Sequence, residues 1–405
     1  MRAGAPGFSG QRLREAREVR SLSAISLSEL ADVSSQAIYQ YENGRRSPSP
    51  DVLEKIALAV KLPPAFFLLP DRPQADAPLF FRSMSTATKG ARNRAQHRLR
   101  WVRDIAAYVS GFVALPDANF PGLDLPTDPM LLSDDEIEQA AEDARRYWRM
   151  GDGPIANMIL LLENQGAVVA RDLLGADTLD GLSQFPPEDG RPYIFIGRDK
   201  GTPARWRFDA AHELGHLLLH ANVPRRTLDR PEKHKKIEEQ AHRFARAFLL
   251  PLASFGDDLF GVSLDAFRGL KSRWNVSIAT MIFRARDAGL LSEDTERRLR
   301  IGMSRHKWRI REPYDETTEV EEPRLLRRSF ELILSERAQT PADVTGQLGL
   351  PTPDIETLSA LPTGYLSDYS GVVLLPQPAE ASGQGGRPGE DARVIEFSRH
   401  RPRDL

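Results

Sequence analysis

The sequence predicts a mainly α-helical chain with one small α+β section. Three observations carry this. Apolar residues recur at helical spacing through most of the 405 residues. Only two runs, GAVVARD (166–172) and YIFIG (193–197), have strand-like β-branched and aromatic content between turn signals. Helix-start signals, such as Ser34 and the acidic run Ser133-Asp134-Asp135-Glu136, stand where the helical periodicity begins.

The first helix is read from Leu13, Ala16 and Val19, with Arg12, Arg14, Arg17 and Arg20 around the stripe. Leu27, Leu30 and Ala31 mark a short second helix. Ser34 caps a third, which stops at Asn43-Gly44. Pro50 suits the first turn of a fourth, through Val60. The Pro-rich stretch LPPAFFLLPDRPQADAP reads as the edge of this unit, so residues 1–72 form the first expected domain. A helical connector is expected over 73–150. Its helix at about 88–114 begins very basic, with Lys89, Arg92, Arg94, His97, Arg98, Arg100 and Arg103, and ends apolar. The next helix runs from Ser133 to about Met150.

Residues 151–262 are expected to hold a helix at about 155–165, the two strands, and helices at about 204–220 and 232–249, the last closed by Pro251. More helices fill 263–370. The stretch QPAEASGQGGRPGEDAR (376–392) is low in complexity, and 371–405 is expected to be a disordered tail ending in a short strand and a basic run.

Composition excludes several classes. The chain has no Cys, so a disulfide framework, a cysteine nucleophile and a thiolate metal cage are out. No apolar run approaches the roughly 20 residues of a membrane span, and the N-terminus lacks an apolar signal core. A cytoplasmic protein without a membrane partner is expected. The net charge of −2 means that any nucleic-acid surface is local.

Residues 211–220 read AHELGHLLLH. On a helix, His212 and His216 share a face one turn apart and can bind one cation through imidazole nitrogens. Glu213 lies about 100° around the helix, away from the ligand face. It is placed to take a proton from water beside the cation during attack on a carbonyl, and so is the candidate catalytic residue. A catalytic zinc site usually takes three protein ligands. The next helix offers Glu238, 22 residues after His216, far enough for a loop and an antiparallel return. His220 drifts around the helix by about 40° per step and is read as a supporting or surface residue. His242 and Glu239 are read as structural or solvated, and His234 as part of a lysine-rich loop.

Residues 23–44, SAISLSELADVSSQAIYQYENG, fit a helix–turn–helix. Ala24, Leu27, Ala31, Val33, Ile38 and Tyr41 are spaced to pack its two helices, with Asp32 in the turn. Ser34, Ser35, Gln36, Tyr39 and Gln40 then face outward. Gln can read adenine and Ser can serve phosphate or base. Arg45 and Arg46, with Arg12 and Arg14, can pair with phosphates. The basic run 89–103 either extends that footprint or is a solvated face.

Both constellations resemble known families. Residues 8–69, most specifically QAIYQYENGRRSPSPDVLEKIALAV, resemble an XRE/Cro-type DNA-binding domain. Residues of about 155–260 resemble the ImmA/IrrE metallopeptidases through RFDAAHELGHLLLH (207–220) and EEQAHRFARAFLLP (238–251). That resemblance implies a five-helix-type N-terminal domain and a zincin-like α+β peptidase domain with a small sheet, followed by a helical extension. It also implies metal ligation by His212, His216 and Glu238, the last opening an E-x-x-A-N/H-x-F-A pattern. His242 departs from the family, where Asn is common. The segment RLLRRSFELILSERAQTPADVTGQLGLP shows a degenerate second helix–turn–helix pattern.

The expected function is a bacterial transcriptional regulator carrying a zinc-dependent endopeptidase, with manganese or iron as alternative metals. Its expected partners are a double-stranded DNA operator, as a homodimer if the site is palindromic, and a repressor-like or antitoxin-like substrate, or the chain itself. The alternative is a regulator whose metal domain is an inactive sensor or interaction module.

Overall fold

The computed structural model describes residues 4–71, 79–81, 88–174, 180–199, 201–228 and 230–367. The expected tail at 371–405 lies outside the described residues.

Helices α1 (Gly10–Val19), α2 (Ala24–Leu30), α3 (Ser35–Glu42) and α4 (Pro50–Val60) form the N-terminal unit, and the 3-10 turn Pro64–Leu68 is its short fifth element. Ser9, Ser23 and Ser34 cap α1, α2 and α3 through their side-chain oxygens, which satisfies backbone N–H groups that no helical turn can reach. Leu13, Ala16, Val19, Leu27, Ala31 and Ile38 are buried together, whereas Leu30 is exposed. Asp32 takes a left-handed φ of 53° in the turn between α2 and α3.

The two-residue strand β1 (Phe80–Phe81) precedes α5 (Lys89–Ser110). Then come α6 (Asp134–Tyr147), α7 (Met158–Asn164), β2 (Val168–Asp172), β3 (Gly181–Gln184) and β4 (Tyr193–Gly197). Ser133 and Glu136 close the capping box at the start of α6. The strand order is β1-β3-β4-β2, with β2 parallel to β4 and β3 antiparallel to both its neighbours. Strands β2 and β4 are the two runs expected from sequence. GLSQ, which forms β3, has no apolar alternation to announce it.

The rest is helical. It comprises α8 (Pro203–Leu219), α9 (Arg225–Leu228), α10 (Pro231–Leu249), α11 (Leu252–Asp258), α12 (Leu264–Trp274), α13 (Ile278–Asp287), α14 (Glu293–Arg305), α15 (Leu325–Ser335), α16 (Pro341–Leu348) and α17 (Thr352–Leu358). Among the described residues no helix is long and apolar enough to cross a membrane.

Every residue of β2 and β4 is buried, because the sheet is covered on both faces. Alternate side chains go to different cores. Val168, Ala170, Tyr193 and Phe195 join a core built with α1–α5 and α15–α17. Val169, Ile194 and Ile196 join the core of α6–α8, α10 and α12–α14. The N-terminal unit therefore shares its interior with one face of the sheet.

Helix α5 is the link, and this corrects the reading of its basic run as a phosphate footprint or solvated face. Arg98 is buried and pairs with Asp172 at the end of β2 and with Asp354 on α17. His97 meets Glu18 of α1 at 2.9 Å, and Arg103 meets Asp189 at 2.8 Å. Trp101 donates from Nε1 to Glu15 at 2.6 Å, and its ring lies edge-on to Phe66. A helix between two units has to pair its charges within the protein.

The stretch with the degenerate pattern, 324–351, forms α15 and α16, and α16 ends at Gly349 with φ 61°. The helix after it is not offered outward: Asp354, Ile355, Glu356 and Leu358 are buried, and α17 packs on α5 and β2.

Candidate functional site

Helix α8 is capped by Thr202, opened by Pro203, and buried without a break from Arg207 to Leu219. It lies between the sheet and α10. Two small residues make this possible. A Cβ on Gly215 would meet Phe244 at 3.1 Å and Ala241 at 3.3 Å, so α8 and α10 pack backbone to backbone there. A Cβ on Gly181 would lie 2.8 Å from Glu213 Oε1, so β3 leaves the space that this carboxylate fills.

That packing brings His212, His216 and Glu238 together. The two imidazole Nε2 atoms lie 3.0 Å apart. A Glu238 oxygen lies 3.4 Å from His212 Nε2, and its other oxygen lies 3.3 Å from His216 Nε2. A tetrahedral shell with bonds of about 2.0–2.2 Å has donor-to-donor edges of about 3.4 Å. The donor set therefore fits one divalent cation. Glu213 is fully buried on the same helix.

The protonation states suit ligation. Gln240 gives its amide N–H to the carbonyls of Pro129 and Leu132, so its oxygen is the acceptor for His220 Nε2–H, at 3.1 Å. His220 Nδ1 then accepts from His216 Nδ1–H, also at 3.1 Å. This relay leaves the lone pair of His216 on Nε2, facing Glu238. Burial, and then the neighbouring His216, push His220 down to about 3, so it stays neutral. Burial, followed by the adjacent His242, holds His212 well below the usual imidazole range. For Glu238, burial alone would raise the carboxyl. The attraction of His216 and the contacts with His212 outweigh it and hold the group well below the carboxylate range. Two imidazoles and one carboxylate are what a hard or borderline cation binds.

One further histidine departs from the sequence reading. His234 lies in α10, not in a loop, with Nε2 3.8 Å from Glu238. His242, read as structural or solvated, is half-buried beside the cluster. Its ring centroid lies 4.5 Å from that of His212, and its ligand atom falls within 4.8 Å of those of His212 and Glu238. The signal was present: Glu238 and His242 are one helical turn apart. Glu239 is exposed beside Lys235, as expected.

A cavity of about 860 Å³ opens next to this cluster, between α8, α10, α13 and α14. Phe208, His242, Phe283, Met303, Trp308 and Ile310 are among its lining residues.

On the N-terminal unit, Ser34, Ser35, Gln36, Tyr39, Arg45 and Arg46 are exposed and Gln40 is half-buried. Arg46 donates to the Gln40 side-chain oxygen at 3.4 Å. These residues form one outward face at α3 and the turn after it. Arg12 differs from expectation: it is buried and donates to the Pro70 carbonyl. Arg14 is exposed and reaches Glu42 and Asn43.

Comparison with known families agrees with this layout. Residues 13–67 match a family model described as Helix-turn-helix, and residues 162–286 match a peptidase family model described as IrrE N-terminal-like domain. No curated protein matches the chain. The two matches point to a DNA-binding regulator that carries an ImmA/IrrE-like peptidase domain.

Proposed function

We propose that this protein is a bacterial transcriptional regulator carrying a zinc-dependent endopeptidase that cleaves a repressor-like or antitoxin-like protein, or the chain itself. The observation that carries the reading is the meeting of His212, His216 and Glu238 across α8 and α10, with Glu213 one residue from the first ligand. In this reading residues 1–72 grip DNA and residues 151–262 carry the peptide chemistry. Residues 73–150 connect them and 263–370 complete the packing.

A bound zinc, or manganese, supplies the positive charge that polarises a scissile carbonyl and acidifies a neighbouring water. The chain supplies the rest. His212, His216 and Glu238 hold the ion. Glu213 takes a proton from the attacking water and returns it to the departing amine as the C–N bond breaks. The buried surroundings of α8 exclude bulk water and strengthen each of these charges.

For DNA, Gln36 and Gln40 are the candidate base readers, Ser34, Ser35 and Tyr39 line the contact, and Arg45 and Arg46 meet phosphates. A homodimer on a palindromic operator fits the exposed apolar residues Ile25 and Leu30 on α2 and Leu58 on α4. A cytoplasmic location follows from a chromosomal partner.

The second reading is a regulator whose metal domain is an inactive sensor or interaction module. The full burial of His212, Glu213 and His216 favours it. One experiment separates the two. The zinc-loaded chain is incubated with host extract, and new protein N-termini are mapped against a Glu213→Gln control. Cuts that vanish in the variant support the peptidase, and identical maps leave only the sensor.

A further inference from the structure

We propose that His242 is a fourth protein ligand of the cation site, and the one that faces the cavity. The inference builds on the metal-centre reading above and decides what kind of centre it is.

Four observations converge. The ligand atoms of His212, Glu238 and His242 all lie within 4.8 Å of one another. His242 Nδ1–H donates to the Glu238 backbone carbonyl at 2.7 Å, which leaves the lone pair on Nε2. This is how protein imidazoles are commonly fixed for ligation: one nitrogen donates to a carbonyl while the other meets the metal. Phe208 stacks on the ring, with centroids 5.9 Å apart and planes 24° apart, so the ring plane is held. Finally, His242 lines the cavity while His212, Glu213 and His216 are fully buried.

Three imidazoles and one carboxylate are as many protein donors as a structural centre uses. A site so filled resembles a closed, structural centre. A catalytic one keeps a position open for water or substrate. His242 is the ligand with somewhere to go, because its ring already borders open space. With a cation bound, His242 would be the ligand nearest to anything that enters the cavity. The same residue then explains how one chain has both a complete ligand set and a sealed catalytic helix.

The test counts imidazoles directly. The full-length protein is loaded with Co²⁺, and its hyperfine-shifted exchangeable imidazole N–H signals are recorded by proton NMR. Three signals are expected for the wild type and two for His242→Asn, with Co²⁺ affinity at least tenfold weaker in the variant. Two signals in the wild type overturn the proposal while leaving the His212–His216–Glu238 centre standing, and this holds even if the variant fails to fold. No shifted signal in the wild type removes the metal centre itself and the proposal with it.

Discussion

Gly215 packs directly against Ala241: a β-carbon at Gly215 would lie 3.3 Å from the Ala241 Cα. Here two helices, each carrying part of the candidate ligand set, come close enough for these residues to share an ion. The distance between His216 and Glu238 is thus a property of helix packing, not of the loop between the helices.

Gly215→Val is expected to push α8 and α10 apart and weaken zinc binding at least tenfold, while helical circular dichroism persists. Overpacking of this kind typically costs about 1–3 kcal/mol. Competition against a chromophoric chelator measures it. Unchanged affinity in the folded variant would show that the ligands do not depend on helix spacing.

On the DNA face, Gln36→Ala is expected to lower operator affinity by about 1–3 kcal/mol and to relax preference at one base position. Arg46→Ala should weaken all sequences alike and reduce the slope of log affinity against log salt by about 1. Fluorescence anisotropy across salt concentrations separates the two. Equal loss on specific and random DNA for Gln36→Ala would remove it as a base reader.

Asp354 is held by two arginines, Arg20 just after α1 at 2.6 Å and the buried Arg98 from α5. Removing the carboxylate leaves a buried guanidinium short of a partner, which costs about 3–5 kcal/mol when such a pair is broken. Asp354→Ala should therefore lower the denaturation midpoint of the whole chain. The loss should shrink when Arg98 is replaced as well. A cost below about 1 kcal/mol would mean that Asp172 alone satisfies Arg98.

Glu163 gives a pH signature. It accepts N–H groups of Arg324 and Leu325, both at 3.0 Å, at the start of α15. Burial nevertheless raises its carboxyl from 4.5 to about 7, against the pull of those donors. The folded protein thus holds this proton more tightly than the unfolded chain. The stability linked to it is complete below the unfolded value of about 4.5 and is lost as pH rises towards 7. Relative to Glu163→Gln, the wild type should lose on the order of 3 kcal/mol between those limits. Urea denaturation at several pH values measures the difference, and parallel curves for the two proteins would refute the assignment.

Much of this molecule was legible in its sequence because its signals are local. The Ser34 cap, the Asn43-Gly44 stop and the spacing of Leu27, Ala31 and Ile38 each act within a few residues, and so does the one-turn separation of His212 and His216. What could not be read depends on distant chain. GLSQ becomes a strand only because β4 and β1 lie on either side of it. The basic run of α5 resembles a phosphate-binding face until Glu18, Asp172, Asp189 and Asp354 arrive from four other segments. His242 looks solvated until the ring of His212 is set beside it.

Phe66 lies against Trp101, and Trp101 belongs to the core that also takes one side of the sheet. Severing the chain between the N-terminal unit and α5 would therefore lay bare aromatic surface on both pieces. Neither piece would inherit a finished interior. A cut at that junction would therefore destabilise both units in a single event.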